Sequence, residues 1–339
     1  MKEKVLNILI YMFTSDVSKW ENNVEIFDYV EASNPSMKAM PVLVHPPELH
    51  QSGLTRVIPF EINGELGIDG KCTSPNLMAS FIRICIDENI DCKAMATSHV
   101  FYVIRGKGKT KSEHGEIEWN TGDLFVLPLT NGTINHLCLQ EEEYGGAALY
   151  WVHDEPLMNY LGVKPFVAKF KPTLYTHERM LSAVQDITES NKNEGCNRLG
   201  ILLGNKACQQ TKTLTHVMWC LLNSIPPNSI QKPHRHNSVA LDLAVTTETN
   251  VYTLMGRDID PEGNIIDPIR CDWVSGGVFT TPPGWWHSHH NESDKIAWVL
   301  PIQDAGLFTH QRTLDIRFAD DEIKLHDSKR IRGATLKEE

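Results

Sequence analysis

Three histidines carry the chemistry that this chain can do. His234 and His236 flank Arg235, and His287 follows in the run Gly276-Gly277-Val278-Phe279-Thr280-Thr281-Pro282-Pro283-Gly284-Trp285-Trp286-His287-Ser288-His289-His290-Asn291. Alternate residues of an extended strand share a face, so His234 and His236 can offer two imidazoles to one point while Arg235 points outward. His287 is the expected third ligand. Three neutral nitrogens leave positions open on a divalent first-row metal, as in a site that binds substrate or dioxygen; a closed structural site would want a fourth protein ligand. Imidazole alone does not choose among Fe(II), Mn, Ni and Zn.

The spacing around His287 adds to the count of histidines. Gly276 is followed by five residues, Pro282, one residue, Gly284, two residues, His287, three residues and Asn291. The glycines permit the backbone of tight turns, Pro282 fixes the approach to the next strand, and His287 begins that strand facing inward. Position for position this resembles the second signature motif of the cupin superfamily, whose first motif opens with His-x-His.

Strand parity extends the inward face. Counting on by twos from His236 reaches Ser238, Ala240 and Asp242. Ser238 becomes a candidate substrate contact. Asp242 is read either as an acceptor for a ligand imidazole N–H or as a general base or counter-charge. His289 shares parity with His287 and is the second catalytic candidate, its alternative being a hydrogen-bonded core residue. Trp285 and Trp286 either pack on a substrate at the barrel mouth or fill its rim.

These side chains need a scaffold, and the chain is long enough for two domains with good cores: 339 residues. With 32 basic and 43 acidic residues and a net charge of −11, it shows no basic patch in sequence, which argues against nucleic acid or anionic membrane as partner. The eight cysteines form no Cys-x-x-Cys pair and read as reduced thiols of a cytoplasmic protein. The apolar run Val5–Phe13 is too short to span a bilayer and lacks a small-residue cleavage site, so a helix on the core is expected there. The charged tail from Asp327 to Glu339 reads as a solvated end.

Two stretches repeat one grammar of short β-rich runs broken by Gly, Pro, Asn and Asp. Their Gly-x5-Pro elements, Gly122 to Pro128 and Gly276 to Pro282, lie 154 residues apart. Such a period indicates a duplicated domain. The expected fold is mainly β: two tandem cupin barrels of jelly-roll type with helical additions. The reading divides the chain into an N-terminal arm (1–55), a first barrel (56–165), a linker (166–214), a second barrel (215–325) and the tail (326–339). Leu181, Val184 and Ile187 predict a connecting helix over Thr176–Ser190 with one buried stripe.

The first copy keeps the punctuation without the ligands. Aligned on Val103 to Gly106, the His-x-His positions fall near Lys93 and Met95, and His136 comes eight residues after Pro128 where His287 comes five after Pro282. A metal-free barrel with a scaffolding or dimer role is expected, the competing idea being a site from His99 and His136.

Pro233 to Leu241 and Pro282 to Asn291 resemble the motifs of the bicupin ring-cleaving dioxygenases, the gentisate 1,2-dioxygenase group with its salicylate and hydroxynaphthoate relatives. The likeness covers most of the chain. It implies Fe(II) held by His234, His236 and His287, with a small substrate and dioxygen bound together, in a homo-oligomer. Two departures accompany it: that group generally keeps its better metal site in the first cupin, and its carboxylate-holding arginine is matched here by Asp242. A gentisate-type acid would need Arg257 or Arg270 to reach in from the segment between the motifs. The function expected is therefore a dioxygenase for a small polar, possibly aromatic molecule other than gentisate. The alternatives are a redox-neutral metal-dependent lyase or isomerase, and a non-catalytic binding protein, which three retained ligands disfavour.

Overall fold

The most apolar runs, such as Leu124–Pro128 and Gly146–His153, form strands that are buried on both faces, because one face lines a barrel and the other meets a second barrel. The computed structural model describes residues 20–141, 143–189 and 199–319. The Val5–Phe13 run, Cys196 and the tail from Asp327 lie outside the described residues. The chain divides into units 1–39 and 40–339. In the first, a one-turn helix, Tyr29–Ser33, starts at Asp28, whose Oδ1 accepts from the N–H groups of Val30 (2.8 Å) and Glu31 (3.1 Å). The second unit carries both barrels.

In chain order its strands are β1 (Val44–His45), β2 (Arg56–Pro59), β3 (Met78–Cys85), β4 (Asn89–Cys92), β5 (Ser98–Arg105), β6 (Lys107–Ser112), β7 (Gly115–Trp119), β8 (Leu124–Pro128), β9 (Ile134–Gln140), β10 (Gly146–His153) and β11 (Thr173–Tyr175). They continue as β12 (Leu199–Leu202), β13 (Trp219–Ile225), β14 (Ser229–His236), β15 (Ala240–Thr246), β16 (Val251–Gly256), β17 (Ile269–Asp272), β18 (Val278–Thr281), β19 (Trp286–Asn291), β20 (Ala297–Gln303) and β21 (Ile316–Phe318). The first barrel joins a six-stranded sheet, β11-β8-β5-β10-β3-β2, to a four-stranded one, β4-β9-β6-β7. The second joins β1-β18-β15-β20-β13-β12 to β17-β16-β19-β14-β21. All pairings are antiparallel, and the mainly β, tandem-barrel expectation holds.

Alternation sets the two cores. From β5, β8 and β10 the side chains of Phe101, Val103, Phe125, Leu127, Leu149 and Trp151 fill the first barrel, while Val100, Tyr102, Leu124, Val126, Tyr150 and Val152 point the other way. This second set meets Leu241, Leu243, Val278, Leu300 and Ile302 from the matching strands of the second barrel, so the two six-stranded sheets pack face to face. Burying such side chains is worth roughly 1.5 to 3 kcal/mol apiece, which makes this shared layer the main source of cohesion between the barrels. The N-terminal segment ties them further: β1 pairs with β18 of the second barrel, and β2 with β3 of the first.

The linker helix, His177–Glu189, begins where the N–H of His177 donates to Asp123 Oδ1 (2.8 Å). Met180 and Val184 are buried, and Leu181 and Ile187 pack half-buried against the shared layer, as the stripe predicted. Among the described residues no helix is long and apolar enough to cross a membrane, and the described cysteines are all free thiols.

Pairing registers align the copies and correct the sequence alignment. His136 on β9 sits opposite Thr110 and Ile90, as His289 on β19 sits opposite Thr253 and Gln231. His136 is therefore the counterpart of His289, not a displaced His287. Ile134, opposite Cys92, takes the place of His287, opposite His234. Cys92 and Ala94, both buried, replace His234 and His236; Lys93 and Met95 are exposed, so the expected positions were off by one residue.

Candidate functional site

His234 and His287 are directly paired across the antiparallel β14 and β19. A register shift between Gln231 and His234 accommodates Pro233, which cannot donate to the ladder. The ring centroids of His234 and His287 are 3.9 Å apart, those of His236 and His287 4.9 Å, and those of His234 and His236 5.6 Å. One ligand nitrogen from each lies within 4.8 Å of the others, and all three residues are buried. Among the described residues this is the group of three donors close enough to share one ion.

Hydrogen bonds prepare the rings. Nδ1 of His236 meets the Ser238 carbonyl oxygen at 2.9 Å, Nδ1 of His287 the Trp285 carbonyl at 3.1 Å, and Nδ1 of His234 the His287 carbonyl at 3.3 Å. A carbonyl oxygen only accepts, so each Nδ1 carries the proton and each lone pair falls on Nε2. Imidazole ligands of metals are commonly oriented this way.

The motif residues hold the turns. Gly276 and Gly284 adopt φ of 80° and 76°, where a side chain would be strained. The Gly284 N–H donates to the His236 carbonyl (2.7 Å), which pins the motif turn against β14. The Asn291 amide donates to the carbonyls of Ile225 (2.9 Å) and Lys295 (2.7 Å) and closes the end of β19.

The three rings face a cavity of about 190 Å³, also lined by Gly200, Ile201 and Leu202 of β12, Leu221, Asn223, Asp242, His289, Pro301 and Gln303. Asp242 projects into it as parity required, and Thr281 Oγ1 donates to its Oδ2 (2.6 Å). Burial pushes its carboxyl up to about 7, against the opposing pull of that hydrogen bond. His289 lines the same cavity within a relay: Trp273 Nε1–H donates to Thr253 Oγ1 (2.8 Å), and Thr253 Oγ1 meets His289 Nδ1 at 2.8 Å. The Thr253 hydroxyl thus links the Trp273 indole to the His289 ring and fixes the orientation in which that ring faces the cavity. The first barrel repeats the relay as Trp119, Thr110 and His136, at 2.9 and 2.7 Å.

Other expected contacts fall elsewhere. Ser238 is fully buried and bonds His236 Nδ1 (3.1 Å) and Gln303 Oε1 (2.9 Å), so it supports a ligand ring and does not face a substrate. Trp286 is buried under the Arg235 guanidinium, and Trp285 packs on the second-barrel core with Arg257 over its outer face at 5.4 Å. Neither indole lines the cavity. Arg257 is thus held at the rim, and Arg270 lies on β17 against Tyr252, ion-paired with Asp272 (2.8 Å). No Lys or Arg lines the cavity. The sequence reading missed Asn223 and Gln303, which arrive from strands without a motif, and the β12 wall. It also missed Thr253 and Trp273, which a comparison of the repeats through Thr110 and Trp119 would have revealed.

Comparison with solved structures follows from this architecture. Salicylate 1,2-dioxygenase from Pseudaminobacter salicylatoxidans superposes with a TM-score of 0.67 over 91% of this chain and 98% of its own, at 11% identity. The fold is that of a bicupin. The same enzyme as an adduct with gentisate gives 0.67, with 92% and 93% covered at 12% identity. Oxalate decarboxylase from Bacillus subtilis gives 0.50, with 82% and 83% covered at 14% identity. No protein-family model and no curated protein sequence matches this chain. At such identities the likeness concerns the fold, and the chemistry rests on the site.

Proposed function

We propose that the bicupin is an Fe(II)-dependent dioxygenase whose metal is held by His234, His236 and His287 through Nε2, and which acts on a small, hydroxylated, uncharged molecule. The observation that carries it is the convergence of three buried imidazoles, each with its tautomer fixed by a carbonyl, on a cavity with room beyond the ligands. A bound Fe(II) would supply an open coordination face for substrate oxygens and dioxygen together, and the electrons that pass between them. His289 would hydrogen-bond to the substrate. Asp242, poised near neutrality, would take the proton that a substrate hydroxyl loses on binding. Leu221, Ile201 and Pro301 would exclude bulk water.

The choice of an uncharged substrate rests on charge. Beyond the metal itself the cavity offers amides, imidazoles and a carboxyl, with no arginine or lysine to hold a carboxylate beside Asp242. Gentisate is disfavoured for that reason. Asp242 also favours a second reading, a redox-neutral lyase or isomerase in which the metal polarises an oxygen and the buried carboxyl moves a proton.

Anaerobic loading with Fe(II) followed by an oxygen-electrode screen of uncharged phenols, catechols and polyols separates these readings. Substrate-dependent oxygen uptake that disappears in His287→Ala supports the dioxygenase. Turnover without oxygen uptake selects the lyase or isomerase, and binding without turnover selects a binding protein. Homo-oligomeric assembly belongs to the same proposal, with Tyr160 (83% exposed) and Phe166 (93%) as apolar surface available for it, and light scattering in solution tests it.

A further inference from the structure

A second cavity lies away from the histidines. It measures about 580 Å³ and runs along the linker where this meets the second barrel, within the size range of small-molecule sites. Lys169, Lys171 and Arg179 stand on one wall and Lys206 on the other, and no carboxylate lines it. Among the described residues none of these four side chains has an ion-pair or hydrogen-bond partner. The floor is stitched from both walls: Tyr175 Oη donates to the Gly204 carbonyl (2.9 Å) and Asn205 Nδ2 to Thr173 Oγ1 (3.3 Å).

The sequence clears this place of negative charge. Acidic residues make up about one in eight of the chain, yet none occurs from Pro156 to His177 or from Leu199 to Leu241, the segments that supply every lining residue except Arg179, which follows Glu178. The overall charge of −11 concealed this local excess, and the expectation of no basic patch is corrected here. Four cations that line one concavity without an ion-pair partner among the described residues repel one another, at a cost that an anion between them removes.

We propose that this cleft binds a small, multiply charged anion, a phosphorylated or polycarboxylate molecule bridging Lys169, Lys171, Arg179 and Lys206. This site is distinct from the metal centre and does not depend on the proposed activity. Its second wall continues from β12, whose Gly200, Ile201 and Leu202 line the histidine cavity.

Isothermal titration calorimetry of the full chain with inorganic phosphate, a hexose bisphosphate and tricarballylate tests it, the first two probing phosphate and the third carboxylate. One saturable site per chain is expected for at least one polyanion, weakening as salt is added. Lys171→Gln with Arg179→Gln, both on exposed side chains, should weaken it at least about tenfold, while Lys107→Gln on the first barrel leaves it unchanged. No saturable binding of any probe, equal weakening by Lys107→Gln, or tighter binding of a short single-stranded oligonucleotide than of every small anion would overturn the proposal. The heat of binding does not depend on the metal, so failure here leaves the dioxygenase reading standing, and the reverse.

Discussion

His136 in the first barrel and His289 in the second occupy equivalent positions, each bonded through Nδ1 to a threonine that accepts from a tryptophan. The relay is thus shared by both copies, while only the second surrounds it with His234, His236 and His287 where the first has Cys92, Ala94 and Ile134. What distinguishes the barrels is the three-histidine cluster.

Because the relay orients the His289 ring, removing it should cost turnover without costing metal. Thr253→Val is expected to lower kcat by about 10- to 100-fold, the range seen when outer groups that orient a site are lost. Elemental analysis should find its metal content unchanged. Equal loss of metal and activity would place His289 among the ligands instead.

Asp242 gives a pH signature. Its folded-state value of about 7 lies above its ordinary value of 3.8, so its contribution to stability is complete below about 4 and lost as pH rises to about 7. In metal-free protein the melting temperature of Asp242→Asn relative to the parent should therefore rise between pH 4 and 7 and level off above. A constant difference across that range would mean that Asp242 titrates as a solvated carboxylate.

His99 works in the opposite sense. Burial lowers its imidazole to about 3, so the stability it contributes is present above 6.5 and lost as pH falls towards 3. Both of its ring nitrogens are buried without a partner, and it stacks on Trp151 at 6.0 Å. His99→Phe should stabilise the protein by about 1 to 3 kcal/mol at pH 7 and flatten its acid unfolding. Chemical denaturation at several pH values measures both, and a destabilised variant would show that the imidazole has partners.

Gly276 tests the motif as architecture. At φ of 80°, with His50 Nε2 3.3 Å from where a Cβ would stand, Gly276→Ala should cost about 1 to 2 kcal/mol in thermal unfolding. An unchanged stability would show that the turn tolerates a side chain.

The convergence of the three histidines was legible because each obeys a local rule: parity for His234 and His236, and a turn of fixed spacing for His287. Asp242 and His289 followed from the same parity. Ser238 shared their face but was drawn to the His236 ring, a competition between neighbours that parity does not describe. Trp285 and Trp286 take the rim-filling alternative, and Arg257 and Arg270 do not reach the cavity, because the guanidinium groups sit on aromatic rings, Arg257 on Trp285 and Arg270 on Tyr252, as cation–π pairs. Asn223, Gln303 and Gly200 reach the cavity through strand order, which no local pattern encodes. The first-barrel ligand positions slipped by one because a two-residue period inverts the face with a single-residue error.

The central claim is one divalent ion on three imidazoles, and metal analysis tests it most directly. Protein purified without chelators and loaded anaerobically with Fe(II) should hold one equivalent, with His234→Ala and His287→Ala each holding almost none while keeping the parent's circular dichroism and cooperative melting. Stoichiometric metal in either folded variant, or none in the parent, would contradict it.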